Sequence, residues 1–172
     1  QTNNLRYCGI GKSGFEISQT KSNRWWEYNI FDVYPKLIPN DVCASVGLAQ
    51  LNKIDLHQEY RKKIWDLYQK TFKSLSWLIL PKDAEHDEQH SYFTYCVQLK
   101  NGRRDEFAHY LLDKDIYTTL RYHPLHLNPI YNSDAKLPNS EQLNETALNL
   151  PLHPNLSDSD VQKIVETVKS FC

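Results

Sequence analysis

"NDVCASVGLAQLNKIDLHQEYRKKIWDLYQKTF", residues 40–72, is the stretch on which the fold turns. Asn40 can cap a helix, because its side-chain oxygen can accept from an otherwise unpaired backbone N–H. Asp41 then suits the positive end of that helix. Val46, Leu48, Leu51, Ile54, Leu56, Ile64, Trp65, Tyr68 and Phe72 follow at helical spacing, though not as one clean stripe. The spacing predicts about 32 helical residues, roughly 48 Å at 1.5 Å per residue, with a bend near Lys53–His57. A helix of that length could bridge two domains. Its start carries Ala44, Ser45, Gly47 and Ala49, small side chains that let another backbone approach closely. A stiff basic loop, "YPKLIP" at 34–39, stands in front of it.

Downstream the pattern changes. "SWLILP" reads as a short buried strand ended by Pro81, and "KDAEHDEQ" as a charged loop. His90–Leu99 alternates, with Phe93, Tyr95, Val97 and Leu99 on one face. "RDEFAHYLLDKD" reads as a helix, and "IYTTLRY" as a β-rich segment running into "HPLHLNP". Ser140 is expected to cap a helix to about Leu148. Ser157 is expected to cap a last helix with Val161, Ile164, Val165, Val168 and Phe171 on one face. This order predicts an α/β or α+β domain.

With 172 residues, the chain can bury about 70% of the surface its unfolded form exposes. Twenty basic residues nearly cancel 21 acidic ones, which argues against nucleic acid or an anionic membrane as partner. Cys8, Cys43, Cys96 and Cys172 are scattered, without C-x-x-C or a zinc-like spacing. They read as free thiols of a cytoplasmic protein, with no metal site. "GIGKSG" at 9–14 lacks the spacing of a phosphate loop, and no apolar strand precedes it.

Among polar residues, His90, His123, His126 and His153 draw attention first. "RYHPLHL" places Arg121, His123 and His126 within six residues, with no local carboxylate or thiol to complete a metal site. The segment suits a polar wall for an anionic or hydroxylated ligand. It equally suits an ordinary loop whose arginine pairs with a surface carboxylate. Lys36, on a stiff loop before a helix N-terminus, is placed to hold a phosphate or simply to be solvated.

Four stretches together resemble the DegT/DnrJ/EryC1/StrS sugar aminotransferases. "IPNDVCASVGLAQLNKID" resembles the family's helix after its active-site loop. "HSYFTYCVQL" is similar to its small-domain strand, and "IYTTLRYHPLHLNPIY" to its ligand-facing strand and loop. "LPNSEQLNETALNLPLHPNLSDSDVQKIVETVKSF" is similar to its C-terminal signature. The resemblance covers about Leu5–Phe171 and corresponds only to the family's second half.

That resemblance implies the C-terminal part of an aspartate-aminotransferase-like, pyridoxal-phosphate-dependent fold. Residues 1–40 would be the tail of the large domain, 41–73 the connecting helix and 74–172 the small domain. The whole enzyme would carry an amino group from glutamate to a nucleotide-linked keto sugar, as a homodimer. A dehydratase branch of the family and a non-catalytic complementing half are the alternatives. The Schiff-base lysine would lie in an N-terminal domain before this chain, which leaves no catalytic residue here and an inactive isolated chain.

Family members often read "GYNYRMSD" before the helix, and its Asn reaches the neighbouring subunit's cofactor phosphate. Counting back from Asp41 puts Lys36 at that Asn and Ile38 at the Arg, a departure from the pattern. Arg121 stands where many members have His, Tyr122 matches their Tyr, and His126 matches a "PLH" histidine. With His123, these would line the substrate side of the site.

Overall fold

The computed structural model describes Gln19, Ile30, Val33, Pro35 and residues 40–100, 102–120 and 123–171. The chain divides into two compact units, Gln1–Asn52 and Lys53–Cys172.

In the first unit, helix α1 runs over Asp41–Leu51. Asn40 caps it as expected, its side chain accepting from the Cys43 N–H at 2.9 Å. No residue of α1 is buried. Its apolar side chains are spread around the whole helix, and Val42, Val46, Leu48 and Leu51 are all more than half exposed.

The second unit opens with α2, Ile54–Phe72. The single helix expected over 41–72 is therefore two helices, interrupted at Asn52–Lys53. The mixed stripe has a simple cause. Ile54 and Leu56 in the first turn of α2 stay exposed, whereas Ile64, Trp65, Tyr68 and Phe72 are buried on one face. Residues 64, 68 and 72 recur every four positions, as one side of a helix requires.

Strand β1 is Leu78–Ile79, β2 is Tyr95–Leu99 and β3 is Ala147–Leu150, in a three-stranded antiparallel sheet of order β1-β2-β3. Pairing Leu78 with Leu99, Tyr95 with Leu150 and Val97 with Leu148 puts their side chains on one face, because partners across a ladder share a side. That face carries the core. It packs with α2, with α3 (Arg104–Leu112, burying Phe107 and Leu111) and with α5 (Asp158–Lys169, burying Val161, Ile164, Val165 and Val168).

Three expectations are corrected. β2 starts at Tyr95, not His90, and Phe93 is 57% exposed and outside it. Tyr92 adopts a left-handed backbone (φ 47°), which no extended strand can contain. Helix α4 spans Pro138–Thr146, with Leu137 at its N-cap and a proline in its first turn. Ser140 therefore lies inside it. The residues expected to continue that helix to Leu148 instead form β3. "IYTTLRY" contributes one bridge, Thr119 to Asn149, and no longer strand among the described residues.

The last helix is as expected. The Ser157 side chain accepts from the Asp160 N–H, and the Asp160 carboxylate accepts from the Ser157 N–H at 2.9 Å. This reciprocal cap satisfies two donors that a helix start leaves open. α2 and α5 are also tied at that end. The Tyr60 hydroxyl donates to the Leu156 carbonyl at 2.7 Å, and the Lys63 ammonium lies 3.2 Å from Asp158.

Candidate functional site

The histidine-rich segment folds as two 3-10 turns, Leu125–Leu127 and Pro129–Tyr131, closed by Asn132 in a left-handed conformation. Prolines at 124 and 129 fix this path, since each locks one backbone angle and removes a donor. Both histidines reach α4. His126 Nε2 lies 3.0 Å from Glu141 Oε1, and the Leu137 N–H donates to the same oxygen at 2.8 Å. The carboxylate can only accept from these partners, so His126 carries its proton on Nε2. The Leu137 N–H, followed by His126, holds the Glu141 carboxyl below the usual carboxylate range.

His123 Nδ1 lies 3.2 Å from Asn144 Oδ1, and Asn144 Nδ2 donates to Glu145 at 2.7 Å. His123 therefore donates from Nδ1. The His126 side chain is 7% exposed, while His123 is open to solvent. Around this latch Leu125, Leu127, Ile130, Tyr131, Leu137 and Leu143 leave an exposed apolar rim.

The other two histidines lie elsewhere. The His90 ring lies tilted against Trp65, with ring centroids 4.5 Å apart, and accepts from the Tyr92 N–H at 2.8 Å. His153 lines a cavity at the far end of β3. Arg121, Tyr122 and Lys36, the remaining residues nominated from sequence, lie outside the described residues, as do Ile38, Cys8 and Cys172. Cys43 and Cys96 are free thiols. Among the described residues, no cluster of three or more His, Cys, Asp or Glu could hold a metal ion.

The cavity encloses about 520 Å³ and draws its walls from α2, the segment after α3, β3 and α5. Arg61, Asp115, Thr119, Asn149, His153 and Lys163 supply its polar lining, and Ile116, Leu152 and Ile164 much of the apolar part. No local motif announces it, because its residues come from positions 61 to 164. One signal is present in the sequence. Asn149 is the lone polar residue in the apolar run "ALNLPL", and it is buried.

Against known proteins, residues 5–169 match the profile of the DegT/DnrJ/EryC1/StrS aminotransferase family. The chain belongs to that family. It is 37% identical over 163 residues to the dTDP-4-dehydro-2,3,6-trideoxy-D-glucose 4-aminotransferase of Saccharopolyspora spinosa, covering 94% of this chain and 42% of that one. The fold superposes on the aminotransferase TlmJ of Streptoalloteichus hindustanus with a TM-score of 0.81 at 33% identity, over 97% of this chain and 42% of that one. The protein Spr1654 of Streptococcus pneumoniae, solved in its PMP form, superposes with a TM-score of 0.82 at 26% identity, over 98% of this chain and 43% of that one. The chain thus spans less than half the length of the family members it matches. Among the described residues, no helix is long and apolar enough to cross a membrane.

Proposed function

We propose that this chain is the C-terminal part of a pyridoxal-phosphate-dependent aminotransferase that moves an amino group from glutamate to a nucleotide-linked keto sugar. The observation that carries this reading is the family match over residues 5–169, together with 37% identity to a sugar 4-aminotransferase. In this reading residues 1–40 end the large domain, 41–73 connect the domains and 74–172 form the small domain. Lys36 serves the cofactor phosphate of a neighbouring subunit in a homodimer. Arg121, Tyr122, His123 and His126 line the sugar side.

Bound pyridoxal phosphate would supply an electron sink for the carbon that exchanges its amino group. Of the residues assigned to cofactor or substrate, His123 and His126 are the described ones, and each commits a ring nitrogen to α4. That suits a wall that shapes the site more than a group that carries protons. In this reading the described residues would supply one side of the site and not a complete cofactor cradle, and the Schiff-base lysine is assigned to the part of the family's length that this chain does not match.

The experiment is reconstitution. The chain alone, mixed with pyridoxal phosphate and desalted, is expected to retain no cofactor absorbance. Co-expressed with the lysine-bearing N-terminal portion of a family member, it is expected to co-purify and to aminate a keto sugar nucleotide. Retained absorbance on the chain alone, lost on changing one of its own lysines, would overturn the proposed division of labour. An alternative reading, a complementing half that binds without chemistry of its own, is favoured by α1, whose apolar residues lie open on every side. Co-purification without amination separates that alternative from the first.

A further inference from the structure

The two loop histidines are tied to α4 through opposite ring nitrogens. His126 uses Nε2, 3.0 Å from Glu141 Oε1, and His123 uses Nδ1, 3.2 Å from Asn144 Oδ1. Each acceptor is itself held. The same Glu141 oxygen accepts from the N–H of Leu137, the N-cap residue of α4, at 2.8 Å. The Asn144 amide is set from its other end. Its Nδ2 donates to Glu145 Oε1 at 2.7 Å, which leaves Oδ1 for the histidine. A neutral imidazole has one proton, so the nitrogen that donates makes the other an acceptor. His126 is left with an acceptor at Nδ1 and His123 with one at Nε2. Neither of these nitrogens has a hydrogen-bond partner among the described residues. A free histidine side chain prefers the Nε2–H form. His123 is therefore the ring on which α4 imposes the less favoured form.

We infer that Glu141 and Asn144 are positioning residues: they turn the protons of His126 and His123 toward α4, so that the loop meets its ligand with hydrogen-bond acceptors. This role rests on the reading that both rings line the sugar side, and it narrows the group that side takes. An acceptor nitrogen pairs with a sugar hydroxyl. It cannot pair with a phosphate diester, whose oxygens also only accept. The carboxylates of Glu141 and Glu145 stand behind the rings and act in the same direction, because they repel an anion. The assignment separates two ligand types that residue identity leaves together, since a histidine can serve either one.

Long-range 15N–1H correlation spectra of the full 172-residue chain identify the protonated nitrogen of each ring directly. They are recorded at about pH 8, above the ordinary histidine range. His126 is expected as the Nε2–H form and His123 as the Nδ1–H form. Asn144→Leu is expected to return His123 mainly to Nε2–H, whereas Asn144→Asp keeps an acceptor and is expected to retain Nδ1–H. Glu141→Leu is expected to leave His126 a mixture of both forms, and Glu141→Gln to preserve one. Backbone spectra report whether the variants fold, and a merely structural contact would not select between ring nitrogens. Methyl α-D-glucopyranoside and dimethyl phosphate are then titrated at constant ionic strength. The glycoside is expected to shift His126 Nδ1 and His123 Nε2 saturably, and the phosphate diester to leave them unmoved. Four results overturn the assignment: an Nε2–H form of His123 in the wild-type chain, an unaltered His123 in a folded Asn144→Leu, a saturable response to the diester, or none to the glycoside. Neither measurement needs cofactor or amination. Failed reconstitution would therefore leave the proton positions standing, and misplaced protons would leave the aminotransferase reading standing.

Discussion

Tyr68 and Tyr95 have ring centroids 5.0 Å apart in one core and differ in what surrounds a single atom. The Tyr68 hydroxyl donates to the Pro151 carbonyl at 3.0 Å, whereas the Tyr95 hydroxyl is buried with no partner. Removing the first hydroxyl loses a bond and strands a carbonyl; removing the second relieves an unpaired group. Tyr68→Phe is expected to lower stability by about 1 kcal/mol, and Tyr95→Phe to raise it by a similar amount, read from urea midpoints. A loss on Tyr95→Phe would show that its hydroxyl has a partner in solution. Burial lifts both phenols above the ordinary tyrosine range. Their neutral forms therefore support the fold fully below the unfolded pKa of about 10, and that support is lost as pH rises beyond it.

Glu141 works at the other end of the scale. Its folded pKa is depressed, so its contribution is present above the unfolded carboxylate pKa and is lost as pH falls through the lower folded one. Melting curves of the wild-type chain and Glu141→Gln should converge as the solution is acidified through the carboxylate range, and parallel curves would contradict the latch. The histidines of this latch are legible in the sequence because "HPLHL" is local. Arg61 and Asn149 are not, because only the fold brings positions 61 and 149 to one cavity.

Among the elements, α1 and α5 are readable because their signals sit at their own ends. Asn40 and Ser157 each cap a helix through a bond made within three residues. Ser157→Ala is expected to cost about 1 kcal/mol, measured by thermal or urea unfolding. A neutral result would mean that the ties from Tyr60 and Lys63 hold the start of α5 without its cap. The first half of β3 reads as helix for a physical reason. All four of its residues are buried, so both faces are covered and "ALNL" shows no alternation. The start of β2 reads too early because alternation in "HSYFTYCVQL" continues through Tyr92, where the backbone turns left-handed and breaks the extended path. Side-chain order alone does not register that sign of φ.

At the scale of the molecule, the core cluster among the described residues runs over 64–171 and includes no residue of α1. A helix apolar on every side is one that a larger structure encloses. Alone, the chain is expected to self-associate through Val42, Val46, Leu48 and Leu51. Replacing Val46 and Leu48 with lysine should lower the associated fraction in sedimentation at equal concentration, and an unchanged profile would place the association elsewhere. Family membership is legible in the order and spacing of stretches over nearly the full length. The break at Asn52–Lys53 leaves only a faint trace in the sequence, because Ile54 and Leu56 extend the apolar pattern straight across it.

The bare surface of α1 has a thermal consequence. Covering apolar area lowers heat capacity, so a complementing domain that encloses α1 should bind with a heat that grows steadily more negative as the calorimeter is warmed. A partner that joined through charged loops and left α1 wet would give a heat nearly independent of temperature. The slope of binding enthalpy against temperature therefore distinguishes the two modes without a structure of the complex.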